Sequence, residues 1–148
     1  IDNYTIKLRL CRKEGNMVEV HGWITLRETY RAVDDEDMEG ILERIRKVID
    51  ESEYPSLQIQ VNNGEYFIEF SRYTNHLSGD VTGLLSIFET VGRIAEGSYG
   101  LLYMHNDEDS KHCNEFVVYR LARGRVTAFQ DSFLSPLIPT VEDEYVTG

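Results

Sequence analysis

Side chains able to carry acid–base or metal chemistry are scattered along this 148-residue sequence rather than grouped. Residues of suitable type are His21, His76, His105, His112, Asp107, Asp109 and Asp131. These could in principle act as general acids, general bases or metal ligands. The spacing argues against such roles. His105 and His112 are seven residues apart and match no close-packed ligand pair of the kind that structural zinc sites use, and Cys113 stands alone beside them.

Other enzyme signatures are missing from the sequence. Ser98 and Ser135 lie outside any nucleophile-elbow pattern, and there is no glycine-rich phosphate loop or dinucleotide-binding fingerprint. The sequence therefore predicts no catalytic residue, no metal site and no cofactor. The enzymatic alternative is a small metal-dependent hydrolase that uses His105 and the acids near it.

The strongest chemical signal is negative charge. The chain carries 26 Asp and Glu against 15 Lys and Arg, a formal net charge of −11. Such a field repels nucleic acid and anionic membranes and speeds encounters with basic proteins. We therefore expect a basic protein partner, no direct binding of nucleic acid and no binding to membranes.

The acidic residues predicted to contact this partner are Asp34, Asp35, Asp37, Asp107, Glu108, Asp109, Asp131, Glu142, Asp143 and Glu144. Most have an equally plain structural interpretation. Residues 34–37 can cap a helix, and residues 107–109 can form an exposed turn. Asp131 can bond to its own backbone after a strand. Residues 142–144 lie in a tail with no evident structural need for charge, so they are the stronger candidates for binding.

Affinity in protein interfaces comes more from desolvated aromatic anchors than from charges. The chain has nine tyrosines and one tryptophan, and Trp23, Tyr99 and Tyr103 are predicted to contact the partner. Further candidates for substitution are Tyr30, Tyr54, Tyr73, Tyr145 and Arg72. The alternative for each is that it packs on the fold with its polar atom satisfied.

Apolar periodicity predicts the elements that position these residues. They are a strand at 18–25, a helix from Met38 to Ile49, a hairpin of strands at 57–61 and 66–70, a helix from Asp80 to Ala95, and strands at 99–105, 115–121 and 125–130. Asn63 and Gly64 supply the positive φ that the tight hairpin turn needs. The order β-α-β-β-α-β-β-β predicts an α+β domain with two helices packed on a mainly antiparallel sheet.

The chain is predicted to form one domain at residues 17–148, with an irregular tail from about residue 132 that contains Pro136 and Pro139. Residues 1–16 differ in carrying four basic and two acidic residues, against 11 basic and 24 acidic in the remainder. We expect them to be a leader, upstream or read-through sequence, with Met17 as the natural initiator, since Lys13 to Asn16 can be encoded as a ribosome-binding sequence. The alternation of apolar residues at 6, 8 and 10 alternatively suits an edge strand.

The cysteine content indicates the compartment. Cys11 and Cys113 lie about a hundred residues apart and make no disulfide framework, so we expect reduced thiols and a cytoplasmic location. No apolar run approaches the roughly 20 residues that span a bilayer.

Several short motifs, in this order and spacing, resemble the immunity protein 7 family of bacterial polymorphic toxin systems. They are Val20 to Ile24 (VHGWI), Gly97 to Tyr103 (GSYGLLY), Asp107 with Glu108, Asp131, Leu134 to Pro136, Pro139, and Glu142 with Asp143. The resemblance runs from Met17 to about Tyr145. Asn106 departs from it, because an acidic residue is expected there.

The resemblance implies an α+β antitoxin that binds the C-terminal domain of a secreted toxin, often a nuclease. A nuclease needs a basic surface to hold phosphate, so an acidic inhibitor that occludes it suits the charge of this chain. The alternative is an acidic regulatory subunit that binds some other basic protein.

Overall fold

The computed structural model of the chain describes residues 17–74 and 79–144. The main elements are β1 (Val18–Leu26), α1 (Met38–Asp50), β2 (Gln60–Asn62), β3 (Glu65–Thr74), α2 (Gly79–Ile94), β4 (Tyr99–Asn106), β5 (Val117–Ala122) and β6 (Arg125–Gln130). The predicted element order and the predicted α+β class are confirmed. The proposed leader at 1–16, together with His76 and Tyr145, lies outside the described residues.

The six strands form one sheet in the order β2-β3-β1-β4-β5-β6, and every neighbouring pair is antiparallel. β1 lies inside the sheet, paired with β3 on one side and with β4 on the other. Its sequence alternates because its two faces differ: Val18, Val20 and Ile24 are buried, whereas the side chains between them point to the opposite face.

Both helices pack on the face that carries the buried residues of β1. α1 contributes Ile41, Leu42, Ile45 and Ile49, which follow helical spacing along one side. α2 contributes Leu84, Ile87, Phe88 and Val91 to the same core. Each of these side chains stabilises the fold by about 1.5–3 kcal/mol relative to leaving it exposed. The opposite face of the sheet, called here the helix-free face, is covered by no helix of eight or more residues in the described ranges.

Two tight hairpins fix the register at one end of the sheet. The β2–β3 turn places Asn63 at φ 56° and Gly64 at φ 80°, and the β5–β6 turn places Arg123 at φ 49° and Gly124 at φ 73°. Positive φ at both central residues is the geometry that matches the twist of paired strands. The predicted role of Asn63 and Gly64 is therefore confirmed.

The C-terminal tail docks on the long connection between β4 and β5. Asn114 is the main attachment point: its side chain donates to the carbonyl of Ile138 (3.2 Å) and accepts from the Ile138 N–H (2.9 Å). The N–H of Leu137 donates to the Asn114 carbonyl (2.9 Å), and residues Leu137–Thr140 form a hydrogen-bonded turn in which Ile138 has non-helical backbone angles (φ −105°, ψ 116°). The peptide bonds before Pro136 and Pro139 are cis. The tail is thus attached to the β4–β5 connection by specific hydrogen bonds at Leu137 and Ile138.

Cys113 lies buried in the same connection. It is disulfide-bonded, so the expectation of reduced thiols is wrong, and the cytoplasmic location loses the support drawn from it. Cys11 lies outside the described residues.

Candidate functional site

A cleft of about 380 Å³ opens on the helix-free face above the middle of β1. Its side chains come from three adjacent strands: His21 and Trp23 from β1, Glu69 and Ser71 from β3, and Leu101 and Tyr103 from β4, with Gly22 and Phe70 completing the lining. The strand register produces this grouping, since His21 pairs with Ser71 and Tyr103, and Trp23 pairs with Glu69 and Leu101. The cleft is therefore built by three paired strands inside the sheet.

Trp23 and Tyr99 form an exposed aromatic pair beside the cleft. Their ring centroids lie 5.9 Å apart with the planes at 90°, an edge-to-face contact. The two side chains are 40% and 42% exposed. Two large aromatic side chains held in a fixed orientation and still half-exposed have the properties of interface anchors. The structure thus brings together the three aromatic residues predicted to bind a partner, Trp23, Tyr99 and Tyr103.

A chain of hydrogen bonds crosses the cleft towards the start of β1. Nε2 of His21 donates to the Glu19 carboxylate (2.8 Å), and Nδ1 of His21 lies 2.8 Å from the Ser71 hydroxyl. The Tyr73 hydroxyl also donates to Glu19 (3.0 Å). This hydrogen bond, and then the charge of Glu19, raises the pKa of Tyr73 above its usual value. Because the carboxylate can only accept, it fixes the imidazole tautomer in which Nε2 carries the proton.

The connectivity of Glu19, His21 and Ser71 is that of a carboxylate, base and hydroxyl relay. Ser71, however, lies inside a continuous strand and not on the sharp strand-to-helix turn that presents a nucleophile beside free backbone N–H groups. The arrangement orients three polar side chains around the cleft, and sequence patterns did not reveal it because the residues lie on different strands.

The acidic turn at 107–109 lies at the end of the sheet where β1 begins. The Asp107 carboxylate accepts from the Met17 N–H (2.8 Å), and that of Asp109 accepts from the Lys111 N–H (2.9 Å). The side chain of Glu108 is exposed. Burial, followed by the nearby charge of Asp109, raises the pKa of Tyr119. Two of the three acids therefore organise the turn while remaining partly open to solvent.

Residues 142–144 follow the hydrogen-bonded turn of the tail, which is attached to Asn114 in the same β4–β5 connection. Glu142, Asp143 and Glu144 are all exposed. The fold therefore gathers two of the three acidic segments near one end of the sheet, an arrangement that local sequence patterns did not predict.

The third acidic segment lies at the opposite end, after β1 has crossed the sheet. Asp37 caps α1 by accepting from the Gly40 N–H (3.2 Å), and the Glu28 side chain accepts from the N–H groups of residues 36 and 37. Asp34 and Asp35 are exposed. The capping interpretation thus holds for Asp37, and this segment cannot share one flat contact surface with residues 107–109.

Asp131 is buried, with 7% of its surface exposed, and organises the loop that follows β6. Its carboxylate accepts from the N–H groups of Phe133 (2.9 Å) and Leu134 (3.0 Å) and from the Ser135 hydroxyl (2.8 Å). Burial acts to raise the pKa of this carboxyl, but the hydrogen bonds outweigh it, and the pKa is lowered. Asp131 therefore hydrogen-bonds to its own loop, as the structural alternative predicted, and we leave it out of the partner-contact surface.

The same loop exposes two apolar side chains that sequence reasoning missed. Phe133 is 78% exposed and Leu134 is 45% exposed, while the backbone that carries them is fixed by Asp131. Exposed apolar side chains on a fixed backbone are typical of contact surfaces. The sequence signal was present as an Asp followed two residues later by an apolar pair, which is an Asx-type turn.

His105, His112, Ser98 and Ser135, which were also considered for catalysis, have structural roles. Nε2 of His105 donates to the Cys113 carbonyl (2.7 Å), and His112 pairs with Glu115. The Ser98 hydroxyl is buried against the backbone of Arg27, and Ser135 bonds the Phe116 N–H. Within the described ranges, no three His, Cys, Asp or Glu side chains are grouped so that they could hold a metal ion.

The other tyrosines considered as anchors differ in how much of the side chain is exposed. Tyr54 is 4% exposed and has the Arg72 guanidinium 4.9 Å from its ring centre, so both belong to the fold. Tyr30 is exposed beneath Arg123 near the β5–β6 turn, far along the sheet from Tyr73. Tyr73 extends the helix-free face beyond His21, and Glu69 and Leu101 are cleft residues that the sequence reasoning did not single out.

No helix in the described part of the chain is long and apolar enough to cross a membrane. No curated protein and no solved structure gives a significant match to this chain. The family model described as immunity protein 7 matches residues 17–143, a span that includes every strand and helix above and all three acidic segments apart from Glu144. The match covers most of the sequence and agrees with the α+β fold described above, so the chain belongs to the immunity protein 7 family, the immunity proteins of toxin systems.

Proposed function

We propose that this protein neutralises the C-terminal domain of its cognate toxin by binding it stoichiometrically, without catalysing a reaction. The observation that carries the proposal is the helix-free face, where the half-exposed Trp23 and Tyr99 rings form a pair at a cleft. Two acidic segments lie near one end of the same sheet. Aromatic anchors supply affinity in such interfaces and peripheral charges supply speed of association. We expect a 1:1 complex with an interface of roughly 1,600 Å².

The toxin domain is a basic nuclease in this proposal, either an RNase or a DNase. Enzymes that hold phosphate present cationic surfaces, and a chain with a net charge of −11 complements such a surface. The carboxylates of 107–109 and 142–144 occupy positions equivalent to phosphates along the cationic groove. The complex forms in the cytoplasm, where a nuclease would meet the nucleic acid of the producing cell.

The contact surface extends from the cleft to the end of the sheet that carries the tail. It includes Trp23, Tyr99 and Tyr103 in and beside the cleft, the acidic turn at 107–109, and the tail residues 142–144. Asp34 and Asp35 lie at the other end of the sheet and contribute only to long-range attraction. Phe133 and Leu134 join the surface because they protrude from the loop that leads into the tail.

The proposal is tested by isolating the tagged protein from its native host and identifying the polypeptide that co-purifies. A basic nuclease domain encoded immediately upstream is the expected partner. Its association rate, measured by stopped-flow fluorescence, should fall by about tenfold or more between low and high salt while dissociation changes little. A rate that stays flat with ionic strength contradicts the electrostatic part of the proposal.

The same acidic charge would also suit a regulatory subunit for another basic protein. Genomic position separates the two functions, because an immunity gene lies next to a large secreted toxin with a variable C-terminal domain. An acidic partner, or one with no toxicity when expressed alone, contradicts the antitoxin function.

A further inference from the structure

One carboxylate of the cleft has no hydrogen-bond or ion-pair partner among residues 17–74 and 79–144. Glu69 projects from β3 directly opposite Trp23, and among the described residues its side chain forms no hydrogen bond and no ion pair. The other acid near the cleft, Glu19, already accepts from His21 and Tyr73. Glu69 therefore keeps its full capacity to bind a cation, and it lies next to an exposed indole.

Arg120 does not neutralise this carboxylate, because it lies on β5, which β1 and β4 separate from β3. Arg120 pairs with Leu101 in the register, but its guanidinium lies over the Phe129 ring, 4.5 Å from the ring centre. Phe129 holds it on the β6 side of the sheet, away from β3. The cleft is consequently acidic on its β3 side and aromatic on the β1 and β4 sides, where Trp23 and Tyr103 stand.

An aromatic face beside a free carboxylate has a specific chemical complement. A guanidinium group is planar, stacks on an indole ring and offers paired N–H donors to a carboxylate, whereas an ammonium group is a compact, strongly hydrated point charge. The Ser71 hydroxyl and the Tyr103 ring complete a site of mixed polarity at the scale of one side chain.

We infer that the cleft is the receptor for one arginine side chain of the bound protein partner, with the guanidinium stacked on Trp23 and hydrogen-bonded to Glu69. The arginine enters from the open side of the helix-free face. The inference rests on the proposed function only for the identity of the partner, because the chemistry of the cleft can be tested on this protein alone.

The test is an NMR titration of the isolated ¹⁵N-labelled protein with N-acetyl-arginine methylamide. The indole N–H of Trp23 should shift, with a Kd on the order of 10 mM, as expected for a single side chain. The lysine analogue should bind about threefold more weakly, because it lacks the planar contact. The uncharged citrulline analogue, which keeps the shape and loses the charge, should produce little shift.

Two variants locate the binding. Glu69→Gln should raise the Kd of the arginine probe about three- to fivefold. Glu65→Gln, on the same strand but outside the cleft, should leave that Kd unchanged. Loss of the Trp23 shift, equal binding of the citrulline analogue, or an unchanged Kd in Glu69→Gln overturns the inference.

These outcomes are distinct from failure of the proposed function. If no toxin co-purifies but the probe binds as described, the antitoxin proposal fails while the arginine receptor stands. If a toxin is captured with the same affinity by the wild type and by Glu69→Gln, the inference fails while the antitoxin proposal stands.

Discussion

Gly100 approaches the backbone of Trp23 so closely that a Cβ atom at position 100 would lie 1.9 Å from the Trp23 carbonyl oxygen. This contact joins β4 to β1 next to the Trp23–Tyr99 pair. The glycine is therefore required by close packing of two backbones, and the position of the aromatic pair depends on it.

Replacing Gly100 with alanine should separate β1 from β4 and destabilise the protein by about 2 kcal/mol or more, since backbone atoms cannot move aside as a flexible side chain can. Urea denaturation monitored by tryptophan fluorescence measures the loss. Gly83→Ala is the matched control: its Cβ would meet Tyr54 at 3.4 Å, an ordinary contact, and alanine favours the helix, so stability should stay equal or rise. Equal stability of Gly100→Ala and the wild type would show that the strands can separate freely.

Asp131→Asn should lower stability at pH 7 by about 1–3 kcal/mol, because the ionised carboxylate is the acceptor for a set of loop hydrogen bonds. The pKa of Asp131 is lower in the folded protein than its ordinary value of 3.8. The folded state thus binds fewer protons, and this stabilisation is complete above that value and is lost as pH falls through the folded pKa.

The stability difference between wild type and Asp131→Asn should accordingly narrow below about pH 4, as measured by urea denaturation at pH 7, 4 and 3. Asp143→Asn, at an exposed tail position, serves as the control and should show no comparable difference at any of these pH values. A gap that stays constant with pH would show that Asp131 acts through packing and not through its charge.

Trp23→Ala should weaken toxin binding by about 2 kcal/mol, roughly thirtyfold, because a half-exposed indole becomes fully desolvated in the complex. Isothermal titration calorimetry against the co-purified toxin domain measures the change. Tyr30→Ala removes an aromatic ring of similar exposure at the far end of the sheet and should leave affinity within about twofold. If Trp23→Ala and Tyr30→Ala lose the same amount of toxin affinity, the helix-free face is not the binding surface.

Reversing Glu142, Asp143 and Glu144 together to lysine should slow toxin association about tenfold and weaken protection of cells, without unfolding the domain. The control reverses Glu43, Asp50 and Glu89, three exposed acids on the helices, and changes the net charge equally. Stopped-flow kinetics and survival under induced toxin report the result. If both variants slow association equally, total charge matters and the position of the tail does not.

Periodicity along the chain was sufficient to predict the architecture. The alternation in β1, the helical spacing of Ile41 to Ile49 and the Asn63–Gly64 turn are local patterns, and each has a direct physical cause in its own segment. These patterns also placed Trp23 on the side of β1 that faces away from the helices.

The composition of the site depends on pairing between distant segments, which local patterns do not encode. Trp23 and Glu69 lie side by side because β1 pairs with β3. The tail is attached to the connection that carries the acidic turn because Asn114 binds Ile138. Burial of Asp131 likewise depends on how the loop after β6 folds on the sheet. Sequence reasoning therefore singled out Trp23 and Tyr103 but not the cleft that they line.

Along β1, side chains that pack in the core alternate with side chains that face the proposed binding surface. Val18, Val20 and Ile24 pack against the helices, while the side chains of His21 and Trp23 line the cleft on the opposite face. Substitutions at the outward positions 19, 21, 23 and 25 leave the packing of the inward ones intact, because neighbouring side chains point to opposite faces. The outward residues of β1 can therefore change in evolution as the binding partner changes, while the core residues of the same strand stay the same.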